Sequence, residues 1–400
     1  MAMWTSKPLL AAASFVAAIA LAPLAAEAAN VKVGYIATFT GPEAANGISL
    51  DRGVQLYLKL HPQVPGGHTV ELIKRDDGGP APDRAKRLAE ELITRDGVQL
   101  IAGIIYSNNA FAIMDVCKQA KVPVLIMNAG TASITEQCPY VARISFTMWQ
   151  AGYYMGEYAA TKMGIKTAAM AYSNYAPGKD STNAFREAFE KAGGKIVADV
   201  PMPFPNIPDF TPFMQRIKDI KPDAVYVFVP GAKWTTGIAK SYEELGMKTA
   251  GIKLIGPGDI MQETELPNMG DVPIGVITVH HYSSYGDRPA NKAFVKAFHE
   301  MYGPNVRPDF LAEQGYTGMA AVYHAVEKGD GKVTADSFIA ALKGWKFDAP
   351  RGPIMIDPDT RDIIDNQYVR EVRKIDGQLQ NVELDTIPMV KDPYKALGKK

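Results

Sequence analysis

The stretch VQLIAGIIYSNNA, residues 98–110, decides the fold class. Residues 98–105 are almost continuously apolar, as a strand with both faces buried requires. Polar residues follow at once, and the apolar spacing over 108–119 predicts a helix. A doubly buried strand that leads directly into a helix indicates a parallel sheet covered by helices on both faces.

The same alternation recurs in two series, 31–145 and 165–280. Predicted strands lie at 31–38, 69–75, 98–105, 122–127, 167–172, 195–200, 223–229, 251–255 and 274–279. Predicted helices lie at 83–95, 108–119, 150–163, 182–192, 233–245, 290–301 and 311–327. No long Gly/Ser linker separates the series, so we expect two coupled α/β lobes. In the tail, 354–357 and 368–375 precede the turn pair Asp376-Gly377, which predicts antiparallel strands.

The N-terminal segment, residues 1–29, is typical of a signal peptide. Lys7 precedes an apolar run over 9–24, and Ala26 and Ala28 provide the small residues that a signal peptidase requires. An N-terminal membrane anchor is the alternative, although the run is short and rich in alanine. No cysteine lies near the cleavage position, so no lipid anchor is expected. We therefore predict a periplasmic protein that is soluble after signal cleavage.

The composition of the chain excludes several classes of partner, and it leaves open whether the two cysteines form a disulfide. Lys+Arg and Asp+Glu balance at 43 each, so neither nucleic acid nor a membrane surface is an expected partner. An exported chain keeps disulfides, and Cys117 and Cys138 are predicted to form one; two separate buried thiols are the alternative. Two cysteines and one adjacent histidine pair, His280 and His281, do not provide the ligand spacing of a metal site.

Motifs for catalysis are absent from the sequence. It contains no Gly-x-Ser-x-Gly elbow, no His-Glu-x-x-His pair and no phosphate-binding loop, and no Gly-x-Gly-x-x-Gly begins the first helix. The carboxylate pair Asp76-Asp77 precedes Gly78-Gly79 and is typical of a solvated turn. We therefore predict no enzyme, no cofactor and no metal.

Small polar residues recur where predicted strands end. Such segments lie at 38–42, 106–109, 128–133, 172–175, 229–234 and 256–259. In an open α/β sheet, ligands bind outside the carboxyl ends of the strands, where helix N-termini carry positive partial charge. Hydroxyls, backbone N–H groups and a few aromatic rings at this edge favour a small anion with an apolar body.

These segments give the chain a family resemblance. VKVGYIATFTGP (31–42), LIAGIIYSNNA (100–110), VPVLIMNAGTASIT (122–135) and KPDAVYVFVPG (221–231) resemble periplasmic solute-binding proteins of the Leu/Ile/Val-binding type, the type I fold of ABC importers. The resemblance implies two Rossmann-like lobes with parallel sheets, joined by three crossovers around a ligand cleft. It places 30–146 and 281–343 in the first lobe, and 147–280 with 344–390 in the second.

The resemblance also implies a ligand site. Ser107 and the Gly130-Thr131 turn match the positions that bind a ligand carboxylate. Asn46 lies where the first lobe often has an aromatic lid, and Tyr175 matches a second-lobe aromatic that covers the ligand. The acidic residue that binds an amino group in amino-acid binders aligns with Gly258, one position before Asp259. The complete candidate set is Asn46, Tyr106, Ser107, Asn108, Asn128, Gly130, Thr131, Tyr175, Gly231, Trp234, Asp259 and His281.

The expected function is capture of a small carboxylate, with an aromatic acid as the first choice, for delivery to the membrane permease of an ABC importer. A monomer that closes by a hinge is expected. A branched-chain amino acid is the alternative ligand. A sensor of amide-type ligands on the same fold and an exported hydrolase are the alternatives from other classes.

Overall fold

The computed structural model describes residues 1–4 and 28–399, so nearly all of the predicted signal peptide lies outside the described residues. The first sheet is wholly parallel, in the order β2-β1-β3-β4-β5. As expected, Leu100–Gly103 is buried on both faces. The elements are β1 (Asn30–Ala37), α1 (Ala44–Leu60), β2 (Thr69–Asp76), α2 (Pro82–Thr94), β3 (Leu100–Gly103), α3 (Ser107–Ala120), β4 (Val124–Ile126), α4 (Ile134–Gln137) and β5 (Val141–Arg143).

The second sheet begins with a parallel series in the order β10-β9-β8-β6-β7. Two short 3₁₀ turns, Gly258–Met261 and Leu266–Asn268, follow its strand β9. The elements are α5 (Met148–Thr161), β6 (Thr167–Ser173), α6 (Ala176–Lys191), β7 (Lys195–Met202), α7 (Thr211–Ile220), β8 (Ala224–Phe228), α8 (Lys233–Glu244), β9 (Lys253–Pro257) and β10 (Ile277–His280).

The C-terminal part contains helices and then antiparallel strands. Strand β13 pairs antiparallel with β10, and β12 and β14 flank it, which extends the second sheet as the tail pattern predicted. The two-lobe α/β fold is thereby confirmed. The elements are α9 (Pro289–Tyr302), α10 (Phe310–Lys328), α11 (Ala335–Leu342), β11 (Lys346–Ala349), β12 (Gly352–Ile356), β13 (Ile363–Ile375), β14 (Gln378–Val390) and α12 (Pro393–Ala396).

Helix α1 was missed at the sequence level because glycines lower its helix propensity. These glycines allow close packing. A Cβ at Gly47 would lie 1.8 Å from the Thr38 carbonyl oxygen, and one at Gly53 would lie 1.7 Å from that of Ala312. Helix α10 also contributes a glycine to this contact: a Cβ at Gly315 would lie 2.1 Å from the Leu50 carbonyl oxygen. Through this contact the C-terminal helix α10 packs on the first sheet's side of the molecule; the exact lobe limits stay a prediction.

Three buried arginines bind the segments where the chain passes between the sheets. Arg351 donates from Nη1 to the Ser145 oxygen at 2.6 Å. Arg370 donates from Nη1 to the Tyr282 oxygen at 2.5 Å, and Arg143 donates to the Phe146 oxygen at 3.2 Å. All three arginines are fully buried. In the segments that connect the sheets, buried backbone carbonyls therefore accept hydrogen bonds from charged arginines, where an exposed carbonyl would accept them from water.

Arg351, in the turn between β11 and β12, and Arg370, in β13, are balanced by buried carboxylates. Arg351 donates from Nε to Glu313 at 2.6 Å and lies 3.4 Å from Asp365. Arg370 lies 3.1 Å from Glu263. A buried charge is tolerated only when it is paired and hydrogen-bonded, so removal of one partner from either cluster is costly.

The two cysteines lie side by side in the first lobe. Cys117 is in α3 and Cys138 directly follows α4; their Sγ atoms are 2.7 Å apart, and both are buried thiols in this structure. The hydrogen bond from Cys117 lowers the pKa of Cys138 to about 7. The disulfide itself stays a prediction.

Thiol titration of the exported protein, unfolded without reductant, is expected to find no free thiol. A Cys117–Cys138 bridge closes a loop for which chain entropy predicts about 3 kcal/mol of stabilisation. Reduction should therefore lower the urea midpoint, and a Cys138→Ser variant should show one titratable thiol and no effect of reductant. Two titratable thiols in the unreduced wild type would contradict the prediction.

Candidate functional site

The candidate site is a cleft between the two sheets, at the carboxyl ends of their strands. The cavity volume in it is only about 30 Å³, so the two walls almost meet in this structure. Both lobes line it, through Asn46, Ile105, Tyr106, Ser107, Asn128, Gly130, Phe146, Met148, Tyr175, Pro177, Phe228, Pro230, Asp259, Phe310 and Leu311.

A larger depression of about 880 Å³ lies on the surface along α9. Its charged side chains are mostly exposed; those of Lys292 and Asp287 retain 70% and 86% of their accessible surface. Polar groups in water are already hydrogen-bonded and gain little from a ligand. The cleft is therefore the better candidate, because its polar groups are buried.

Seven of the twelve predicted site residues line this cleft: Asn46, Tyr106, Ser107, Asn128, Gly130, Tyr175 and Asp259. The apolar remainder of the lining was not predicted. Phe310 and Leu311 come from the start of α10, some two hundred residues beyond Ser107 in sequence. Their apolar pattern in the sequence does not differ from that of ordinary core residues.

The other five predicted residues lie next to the lining or behind it. Asn108 follows Ser107 in α3, and the Thr131 backbone N–H donates to Ser107 Oγ at 3.2 Å. Gly231 has a φ of +79°, and a Cβ there would lie 2.6 Å from a Gln262 oxygen. Two rings lie behind the cleft wall: the centroid of His281 is stacked 5.0 Å from that of Phe146, and the centroid of Trp234 is 5.9 Å from that of Phe204.

The first-lobe end of the cleft is suited to an anion. Ser107 begins α3, and Tyr106 is its N-cap in extended conformation. The first amides of a helix have no partner within the helix and carry positive partial charge. Since Ser107 Oγ accepts from Thr131, its hydroxyl hydrogen is available to a ligand.

The donors that the described residues provide at this end are neutral. None of the lining residues that the structure describes is Lys, Arg or His. The buried Thr131 Oγ1 has no hydrogen-bond partner within the described part of the chain. Gly130 keeps the turn close to the wall, because a Cβ there would lie 3.1 Å from Met148 Sδ. Hydroxyl and amide donors of this kind bind carboxylates through charge-assisted hydrogen bonds.

Aromatic rings form the apolar walls. Tyr175 stacks on Phe204 with ring centroids 3.8 Å apart and an interplanar angle of 8°, and Phe228 lies 6.1 Å away on the same wall. Phe146 and Phe310 meet edge to face at 6.3 Å. Burial raises the pKa of Tyr175 well above its usual range, so its phenol stays protonated. These surfaces favour a flat or branched apolar body.

The second-lobe end contains one carboxyl group, Asp259, in the turn after β9. Its side chain is only 9% exposed, and Oδ2 lies 3.6 Å from His280 Nε2. Burial raises the pKa of Asp259 to about 7. Burial, together with Arg370 and Arg351, lowers the pKa of His280 well below its usual range, so the imidazole is neutral.

The neighbouring Gly258 has no room for a side chain. A Cβ there would lie 2.2 Å from Arg370 Nη2 and 2.5 Å from His280 Cβ. In the resembled family, an amine-binding acid occupies the position that aligns with Gly258. Here the packing leaves no space for such a side chain. The acidic side chain that lines the cleft is Asp259.

Direct contacts join the lobes across the cleft. Asn46 donates to the Pro230 oxygen at 3.1 Å, and the Ala132 N–H donates to Asp180 at 2.8 Å. Gln262, which follows the turn after β9, donates to Asp309, the N-cap of α10, at 2.6 Å. The two walls of the cleft are therefore in direct contact with each other in this structure.

A cleft buried between two α/β lobes, and lined from both, defines a binding protein for a small solute. The periplasmic binding protein family matches this chain over residues 30–378. The chain belongs to this family, as a type I solute-binding protein of an ABC importer. Proteins of the family are extracytoplasmic, and no helix among the described residues is long and apolar enough to cross a membrane.

Relatives with known names or structures are similar over nearly the whole chain. The Leu/Ile/Val-binding protein homolog 6 of Brucella melitensis biotype 1 is 40% identical, over 94% of this chain and 96% of the relative. A solute-binding protein from Rhodopseudomonas palustris BisB5, in complex with 3,4-dihydroxybenzoic acid, is 46% identical, with a TM-score of 0.88 over 92% of this chain and 99% of that one. One from R. palustris HaA2, in complex with p-hydroxybenzoic acid, is 40% identical, with a TM-score of 0.87 over 91% and 98%.

Proposed function

We propose that this protein captures an aromatic carboxylic acid without an α-amino group and delivers it to the permease of an ABC importer. The observation that carries the proposal is the combination within one cleft of neutral anion-binding donors at the start of α3 and flat aromatic walls. The benzoic-acid complexes of the 46% and 40% identical proteins support it.

The mechanism follows from the two ends of the cleft. The carboxylate is bound by the α3 amides, Ser107 and the Gly130-Thr131 turn, where the helix N-terminus stabilises negative charge. The ring lies between the walls that contain Tyr175 and Phe146. Hinge closure buries the ligand and creates the surface that the permease recognises. The mature protein acts as a monomer after cleavage of the signal peptide, and it releases the ligand chemically unchanged.

A branched-chain amino acid is the second candidate. The observation that favours it is Asp259, a buried carboxyl group that could pair with an ammonium group. The name of the Brucella relative agrees with this alternative. The aromatic walls and the two benzoic-acid complexes favour the first candidate.

A thermal-shift panel on the purified protein tests the proposal. At about 100 times its dissociation constant, a ligand stabilises by about 2.7 kcal/mol, which raises the melting temperature by several degrees. Benzoate- and hydroxybenzoate-type acids are expected to produce this shift, and leucine, isoleucine and valine are not. A response confined to the amino acids would contradict the proposal and favour the second candidate.

Ser107→Ala and Thr131→Ala are each expected to weaken binding of the aromatic acid by about 1–3 kcal/mol, since each removes a buried hydroxyl from the anion end. Titration calorimetry measures the change. Thr94→Ala serves as the matched control, because Thr94 lies exposed in α2 and donates only to the Glu90 oxygen of its own helix. Unchanged affinity in both cleft variants would place the carboxylate elsewhere.

A further inference from the structure

Among the described residues that line the cleft, Asp259 is the one with an acidic side chain, and one of its carboxyl oxygens lacks a hydrogen-bond donor. Its Oδ2 atom is buried and has no hydrogen-bond partner among the described residues. A buried acceptor without a donor costs free energy, so such an atom in a ligand cleft indicates that the ligand supplies the donor.

The surroundings of Asp259 do not supply that donor. Arg370 is directed to Glu263, Tyr282 and the Gly258 oxygen. His280 Nε2 is 3.6 Å from Oδ2, beyond hydrogen-bond distance, and itself has no partner within the described residues.

The position of Asp259 identifies the part of the ligand that it contacts. Ser107 and Gly130 follow strands β3 and β4 of the first sheet, whereas Asp259 follows β9 of the second. In the function proposed above, the ligand binds between the two sheets with its carboxylate at the first. The ring atoms opposite the carboxylate therefore point towards the second sheet and Asp259.

Resting on the function proposed above, we infer that Asp259 accepts a hydrogen bond from a hydroxyl group on the ring, opposite or nearly opposite the carboxylate. Asp259 is then a specificity-determining residue, and the substrate class is hydroxylated benzoates in preference to unsubstituted benzoate. An unsubstituted ring brings no donor and leaves the buried oxygen unpaired, which is the physical basis of the discrimination.

The test compares 4-hydroxybenzoate with 4-fluorobenzoate, because fluorine is close to hydroxyl in size and cannot donate a hydrogen bond. Titration calorimetry on the wild type is expected to show a preference of at least about tenfold for the hydroxy acid. In Asp259→Leu, or in Asp259→Ala if the first variant does not fold, the ratio of the two affinities should fall to within about threefold. Ser107→Ala is the matched control and should weaken both ligands by the same factor.

Equal affinity of the wild type for the two acids would overturn the inference and leave the proposed function intact. A preference that persists in the Asp259 variants would also overturn it, because another group would then recognise the hydroxyl. Failure of both acids to bind, with binding of leucine, would instead overturn the proposed function.

Discussion

Arg351→Met is expected to lower the free energy of unfolding by about 3–5 kcal/mol. Glu313 and Asp365 lose their buried cation, and both side chains are fully buried. Burial already raises the pKa of Asp365 to about 7, with Arg351 opposing the rise. The Ile144 and Ser145 carbonyls also lose their charged donor. Urea denaturation of the ligand-free protein measures the loss.

The matched control is Lys374→Met. Lys374 pairs with Asp271 at 2.9 Å on the surface, where the two side chains are 47% and 67% exposed. Water screens such a pair, and its contribution to stability is about 0–1 kcal/mol. Equal effects of the two substitutions would show that the buried cluster has no special role in stability.

Asp259→Asn is expected to stabilise the ligand-free protein at pH 8 by about 4 kcal/mol. Burial raises the pKa of this carboxyl from 3.8 to about 7. Between these values the folded state binds a proton that the unfolded chain has lost. Wild-type stability from this group is thus complete below about pH 4 and is lost as the pH rises to about 7. Asparagine does not ionise, so its advantage grows over the same interval.

Denaturation of both proteins between pH 4 and pH 8 measures the difference in unfolding free energy. Other buried carboxyls with raised pKa values, such as Asp365, affect both proteins equally and cancel in the difference. Asp115→Asn, at an exposed position of α3, should change stability by no more than about 0.5 kcal/mol at any pH. A difference for Asp259→Asn that does not vary with pH would contradict the prediction.

Local sequence patterns were sufficient to predict the class of fold. Strands such as β3 and β8 are short apolar runs, and helices such as α6 follow polar strand ends, so their positions could be read from neighbouring residues alone. Helices α1 and α7 were missed. In α1 the deciding interaction is with α10, through Gly53 and Gly315, and no local propensity records a contact between segments more than 250 residues apart.

The candidate site was predicted only as far as polar strand ends could indicate it. Ser107, Gly130 and Asp259 each directly follow a strand or the turn after it. The apolar part of the cleft, including Phe146 and Phe310, does not differ in sequence from core residues. Only the close approach of the two lobes shows which apolar side chains face the cleft.

By itself, the sequence determined the class of fold, its two α/β series and the polar edge where a ligand would bind, because periodicity and strand ends are local properties. The tertiary structure decided which distant residues meet. It placed Arg351 against Glu313 and the Ser145 carbonyl, and it left Gly258 without room for a side chain, so that Asp259 lines the cleft. The physical reason is that close packing and the pairing of buried charge depend on three-dimensional proximity, which spacing along one chain does not encode.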